Sequence, residues 1–362
     1  MSEKIIFGSS TPRSGGSLVT NILSLHPDVI ITKDFVHFFR YIYKKYSPLT
    51  KKNLYKLVYE FCLRIKYRNK IIINPKEILK NINLKNPSYK NIYISISKII
   101  LKNTNKKIYG ENANSEWNNV SNFLNLDKNF LAYQVIRDPR AVLMSWKNLT
   151  YEPGYKYLII IFYWLDAIQE LEKNKNYFKS RFTYVKFENI HSNPYKSISK
   201  LYKHFDLTFH SNFLNINNFK KQKKNKFIHI NVSGYTNKKV IGFSKKRLKS
   251  WKKEIHPWEV ALTQRLLKKY MLKYNYEIIK TSKKDLKKGI EIVNEDKLLK
   301  NLYEKFLKKG IGTSKRLSDP SKPENWSAVD TSKNIKLKFI DTPDYKRYMK
   351  NLIKIKIKIN KL

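Results

Sequence analysis

The stretch Gly8–Val29, GSSTPRSGGSLVTNILSLHPDV, holds three of the chain's ten glycines in its first nine positions. An apolar segment, Lys4-Ile5-Ile6-Phe7, runs into it and reads as a short buried strand. Behind it, Leu18, Val19, Ile22, Leu23 and Leu25 recur at helical spacing from Ser17 to Leu25. His26-Pro27 ends that helix, because proline cannot continue the hydrogen-bond ladder. A strand, a loop and a helix start in this order form an anion nest: consecutive backbone N–H groups converge, and the helix N-terminus adds partial positive charge. Gly15 and Gly16 sit where the helix begins and let a phosphate approach the backbone; Ser14 and Ser17 add hydroxyl donors, and Arg13 a charge. The plainer alternative is an ordinary tight turn.

Two familiar nucleotide loops are absent. Counted from Gly8, the second Gly and the Lys of GxxxxGK[ST] are replaced by Arg13 and Ser14. The dinucleotide pattern GxGxxG does not occur in the stretch either. The loop therefore suits an anionic nucleotide handled without Mg-ATP chemistry, and no metal is expected.

Downstream, strands and helices alternate. Lys107–Gly110, Phe130–Ile136 and Phe182–Phe187 read as strands; Arg140–Asn148, Tyr155–Lys173, Pro194–Phe205 and Trp258–Tyr274 read as helices. This predicts an α/β fold: a P-loop-type parallel sheet flanked by helices, with a helical insertion at about 35–105 and a C-terminal extension. The expected division is a main domain, 1–282, and an extension, 283–362. Residues 313–334 are polar and linker-like, and Leu352–Asn360 (LIKIKIKIN) alternates isoleucine and lysine. That alternation predicts a strand with isoleucines on one face and lysines on the other, a solvated edge or a peripheral contact with a membrane surface.

The 362 residues carry 74 Lys+Arg against 28 Asp+Glu, a net charge of +46. Such a charge favours anionic partners. Lysine, asparagine and isoleucine dominate throughout, so much of this charge reads as a general compositional bias, and a dedicated nucleic-acid surface is disfavoured. One cysteine, Cys62, excludes an internal disulfide, and no Cys/His spacing suggests zinc. The N-terminus lacks a signal-peptide apolar region, and the longest apolar run, Tyr157–Leu165, is far short of the ~20 residues of a membrane span. A soluble, cytoplasmic protein is expected; the sequence sets no oligomeric state.

At this point the chain resembles the PAPS-dependent sulfotransferases (PAPS is 3′-phosphoadenosine-5′-phosphosulfate). Pro12-Arg13-Ser14-Gly15-Gly16-Ser17 followed by His26-Pro27 resembles their first signature. Arg137-Asp138-Pro139-Arg140 with Ser145 resembles the 3′-phosphate motif. Phe187-Glu188-Asn189-Ile190 with Pro194 is similar to a third segment, with Trp164 in the helix between, and Ser250-Trp251-Lys252-Lys253 resembles the family's C-terminal end. The likeness spans about residues 4–277.

The resemblance implies PAPS as donor and a hydroxyl-bearing acceptor: a glycan, a surface polysaccharide or lipid precursor, or, in the tyrosylprotein-like branch, a peptide tyrosine. It implies that Arg13, Ser14, Gly15, Gly16 and Ser17 hold the 5′ end of the nucleotide and that Arg137 and Ser145 hold the 3′-phosphate. Leu18 replaces a tryptophan used near adenine in cytosolic small-molecule enzymes, and Phe187 replaces a tyrosine. Lys245, Lys246 and Arg247 stand in for a missing basic glycine loop. Asp34 is the expected general base, with His37 and Glu111 as alternatives; a helix N-cap is the plain role for Asp34. Asn112 occupies a place where many branches carry a lysine. The competing readings are a basic phosphate- or nucleic-acid-binding protein without turnover, and a nucleotide kinase that would need Mg²⁺.

Overall fold

Five parallel strands form one sheet in the order β2-β3-β1-β4-β5: β1 Ile5–Ser10, β2 Val29–Lys33, β3 Ile108–Asn114, β4 Leu131–Ile136 and β5 Phe182–Lys186. The structure is a computed structural model describing residues 4–33, 38–69, 71–147, 154–215, 243–314 and 343–362. Described helices of eight residues or more are α1 Gly16–Leu23, α2 Lys51–Asn69, α3 Tyr89–Thr104, α4 Pro139–Lys147, α5 Ile159–Phe178, α6 Pro194–His204, α7 Pro257–Lys273, α8 Lys283–Glu295, α9 Lys297–Lys309 and α10 Pro343–Asn360. The expected α/β sheet flanked by helices is what forms.

Successive residues of a strand face opposite sides, so β1 sends Ile6 and Phe7 into different cores. Phe7 joins Tyr109, Ala132 and the apolar faces of α2, α3, α5 and α7. Its ring stacks on Phe123, at 5.0 Å between centroids, and Phe123 stacks in turn on Phe130. Ile6 joins Ile31, Tyr133 and Val135 beneath α1 and α6. With both faces covered, β1 is buried along its whole length. Because the strands are parallel, all their carboxyl ends lie on one edge, the usual place for a ligand in such sheets.

Two elements differ from the sequence expectation. β2 has no counterpart in the sequence reading, which placed no strand directly after the His26-Pro27 helix stop. β3 extends beyond Gly110 to Asn114, so Glu111 and Asn112 lie within the sheet.

The tail requires a correction. Leu352–Asn360 lies within the helix α10, and no strand forms there. Helical winding places Leu352, Ile355 and Ile359 on one face, where they are 4%, 4% and 7% exposed and α10 packs on α2. A strand would need an open sheet edge to pair with; the apolar side of a helix offers a partner without one.

Beyond residue 282, α8 packs on α7, and Val293 and Leu299 are fully buried. The segment after α9 then runs along α5. Thr313 N–H donates to the Phe162 carbonyl at 3.1 Å, and Gln169 donates through Nε2 to the Gly310 carbonyl at 2.6 Å. Gly312 lies so close that a Cβ there would be 2.3 Å from backbone atoms of Phe162 and Asp166.

Candidate active site

The loop after β1 is held in shape by its own side chains. Thr11 and Ser14 share a short hydroxyl–hydroxyl hydrogen bond, and Ser14 N–H donates to the Thr11 carbonyl at 3.2 Å. Arg13 takes a left-handed backbone conformation, φ 68°, and its side chain turns outward. Gly15 caps α1 at φ 96°, a conformation that strongly favours glycine. A Cβ there would also sit 2.4 Å from the Phe187 ring. The N–H groups of Gly16 and Ser17 belong to the first turn of α1, which has no intrahelical acceptors for them.

The second loop begins where β4 ends. Its two arginines have different fates. Arg140 is 1% exposed; it grips Asp138 through Nε and Nη2 at 3.0 and 2.7 Å, donates to Gln264 at 2.9 Å, and lies 4.0 Å over the Trp251 ring. It is a structural residue. Arg137 is directed toward the first loop instead. Its Nη1 donates to the Arg13 carbonyl at 3.0 Å, and its guanidinium lies 4.4 Å over the Phe187 ring. Ser145, two turns along α4, accepts a 3.0 Å hydrogen bond from Arg13 Nε.

Phe187 opens the short helix Phe187–Ser192 after β5 and forms a common floor, 7% exposed, touching Gly15 on one loop and Arg137 on the other. The residues around it fix the second loop's backbone. Trp164 donates to the Arg137 carbonyl at 2.9 Å, and Glu188 accepts the Asp138 N–H at 2.8 Å. The RDPR segment, the Trp164 helix and the FENI segment therefore occur together for a physical reason: each orients the same turn. Burial pushes the Glu188 carboxyl above its ordinary range.

Two guanidinium groups thus converge on a glycine loop with a helix N-terminus behind it. That arrangement suits a ligand with separated negative charges. The comparisons agree: a family model, "Sulfotransferase family", matches residues 6–211, more than half the chain. The chain belongs to the Sulfotransferase family. In fold, this sulfotransferase is similar to the sulfotransferase domain from the curacin biosynthetic pathway: 15% identity, 77% of this chain and 99% of that one, TM-score 0.52. It is equally similar to the sulfotransferase domain of the Synechococcus PCC 7002 olefin synthase: 15% identity, 76% and 96% coverage, TM-score 0.50. No curated protein sequence matches this chain.

The sulfotransferase places its other expected site residues as follows. Leu18 is 2% exposed and packs in the core beneath α1, away from the loop's open side. Glu111 is fully enclosed in β3, with the Tyr93 hydroxyl 3.5 Å away. Asn112, in register with Gly8 and Lys33, is also fully enclosed, and among the described residues neither of its side-chain amide atoms has a hydrogen-bond partner. Lys245–Leu248 forms a 3₁₀ turn against the Phe187–Ser192 helix, anchored by Ser244 N–H donating to His191 Nδ1 at 3.0 Å. Lys245 is exposed, and the side chains of Lys246 and Arg247 lie outside the described set. Asp34 and His37 also lie outside the described residues; β2 ends at Lys33, on the carboxyl edge of the sheet. Thr11 and Glu188 have site-supporting roles that sequence spacing did not assign. The only signal for them was their position within the two motifs.

Proposed function

We propose that this sulfotransferase moves a sulfuryl group from PAPS to a hydroxyl on a glycan or on a surface polysaccharide or lipid precursor. The observation that carries the donor assignment is that Arg13 is held by both parts of the second motif: its carbonyl by Arg137, which lies over Phe187, and its side chain by Ser145. Arg13 is exposed and Arg137 half-buried, so an anion with charge at both ends can engage both guanidinium groups. PAPS supplies an activated sulfuryl group whose leaving group is a nucleotide phosphate.

Sulfuryl transfer resembles phosphoryl transfer, so positioning and charge stabilisation carry most of the rate. Arg13 and the N–H groups of Gly16 and Ser17 stabilise the charge that develops on the leaving 5′-phosphate. Arg137 and Ser145 grip the 3′-phosphate, a guanidinium fork with a hydroxyl beside it. Asp34 takes the proton of the acceptor hydroxyl.

We take a cavity of about 550 Å³ as the candidate acceptor site. It is lined by Tyr155, Tyr157, His256 and Trp258, with Lys147 and Asp285 among them. Flat rings beside hydrogen-bonding side chains suit the apolar face and hydroxyl rim of a sugar.

Titration calorimetry with 3′,5′-ADP, followed by a radiolabelled-PAPS screen of glycans, lipids and tyrosine peptides, tests the assignment. Stoichiometric nucleotide binding and label on a saccharide are expected. No binding heat overturns the donor; label confined to tyrosine peptides overturns the acceptor.

A further inference from the structure

The isoleucine–lysine alternation at the end of the chain is a motif that the transfer site does not use. As a strand it would place every isoleucine on one side. As the helix α10 it divides them: Leu352, Ile355 and Ile359 face α2, while Ile353 and Ile357 point outward at 50% and 51% exposure. The outward pair is not isolated. Lys350, Ile353, Lys354 and Ile357 follow i, i+3, i+4 and i+7 spacing, which is one face of a helix, and all four are exposed, as is Lys361 in the turn that follows. Lys358 and Lys356 flank this face and are exposed as well.

We infer that this outward face of α10 seats the enzyme on an anionic membrane surface. Two β-branched side chains between lysines match the pattern of a helix lying in the headgroup layer: the isoleucines enter the acyl boundary, and the lysines extend along their methylene stems to the phosphates. The occupant is selected by charge. The protein carries +46 overall and its outward α10 face has no acidic residue between Lys350 and Leu362, so a neutral or cationic partner gains nothing there. No described helix is long and apolar enough to cross a membrane, and this contact needs none. The inner isoleucines hold α10 to α2, so the helix reaches the surface already folded and ordered. The inference does not depend on which acceptor the enzyme uses.

Co-sedimentation of the full chain with vesicles of phosphatidylcholine alone, and of phosphatidylcholine mixed with phosphatidylglycerol, tests it. Binding to the anionic vesicles is expected to be at least ~10-fold tighter and to weaken as salt shortens the screening length from its ~8 Å at physiological ionic strength. The double variant Ile353→Gln/Ile357→Gln should lose about 5–10-fold of that binding, with 3′,5′-ADP binding and the melting temperature unchanged. Lys350→Gln/Lys354→Gln should lose a similar factor on anionic vesicles only. Equal binding to both vesicle types overturns the inference. So does unchanged binding of the isoleucine variant, or displacement of wild-type protein from vesicles by duplex DNA that binds both variants equally, since either result would show a general cationic surface.

Discussion

Arg13 and Ser145 stand 132 positions apart, yet the guanidinium Nε of one donates to the hydroxyl of the other at 3.0 Å. The hydrogen bond joins the glycine loop to helix α4 and brings the two motifs to one locus. Ser145→Ala removes a neutral hydroxyl partner, an effect of about 0.5–1.5 kcal/mol. The expected result is a roughly 3–10-fold loss of 3′,5′-ADP affinity by calorimetry, with the fold intact.

Arg13→Ala tests charge stabilisation at the leaving group. The side chain is exposed, so stability should change by no more than about 0.5 kcal/mol. Turnover should fall by roughly 10²–10³, the usual loss for one preorganised donor. Wild-type turnover in this variant would remove Arg13 from the mechanism.

Gly15→Ala combines a left-handed backbone with a contact against the Phe187 ring. A cost of about 1–3 kcal/mol is expected. The melt should show it, and nucleotide affinity should fall with it because Phe187 also carries Arg137. A variant with wild-type melting temperature and affinity would show that this contact constrains nothing.

Glu188 gives a pH dependence with a definite sign. Burial raises its carboxyl above the ordinary 4.5, against the hydrogen bond from Asp138. The folded protein holds that proton more tightly than the unfolded chain. This contribution to stability is therefore complete below about 4.5 and is lost as pH rises through the raised folded value. Glu188→Gln keeps an acceptor for the Asp138 N–H and should flatten this part of the profile, melting at or above wild type at neutral pH. Glu188→Ala leaves that N–H unpaired and should cost about 1–3 kcal/mol. Thermal melts across mildly acidic to neutral pH separate the three proteins.

Cys62 is buried on α2, and burial, with Glu77 nearby, pushes its thiol up to about 12. Folded protein should therefore resist thiol-specific reagents at mildly alkaline pH and react fully in denaturant. Rapid labelling without unfolding would contradict this packing.

The strands β1 and β4 were legible because central parallel strands are continuous apolar runs, β5 because its residues alternate as on an edge strand, and the loops because glycine, proline and arginine have few reasons to cluster at a strand end. The convergence of the loops was implied by the family resemblance, but the role of Phe187 as their common floor was not legible until Gly15 and Arg137 are seen on either side of it. Nor did the spelling RDPR distinguish its two arginines, since Asp138 could pair with either and the buried Trp251 and Gln264 favour Arg140. The tail was misread because a period of two is compatible with a helix whose two sides have different partners. β3 read short because Glu111 and Asn112 look like loop residues, although neighbouring strands enclose them.

Gly312 sits against the turn of α5 between Phe162 and Asp166, and that same turn carries Trp164, whose indole orients Arg137. Any bulkier residue at 312 has to push α5 aside, and Trp164 with it. The segment that follows α9 therefore acts as a wedge behind the nucleotide grip, so a lesion far from the chemistry would register as slack in phosphate capture before it registered as unfolding.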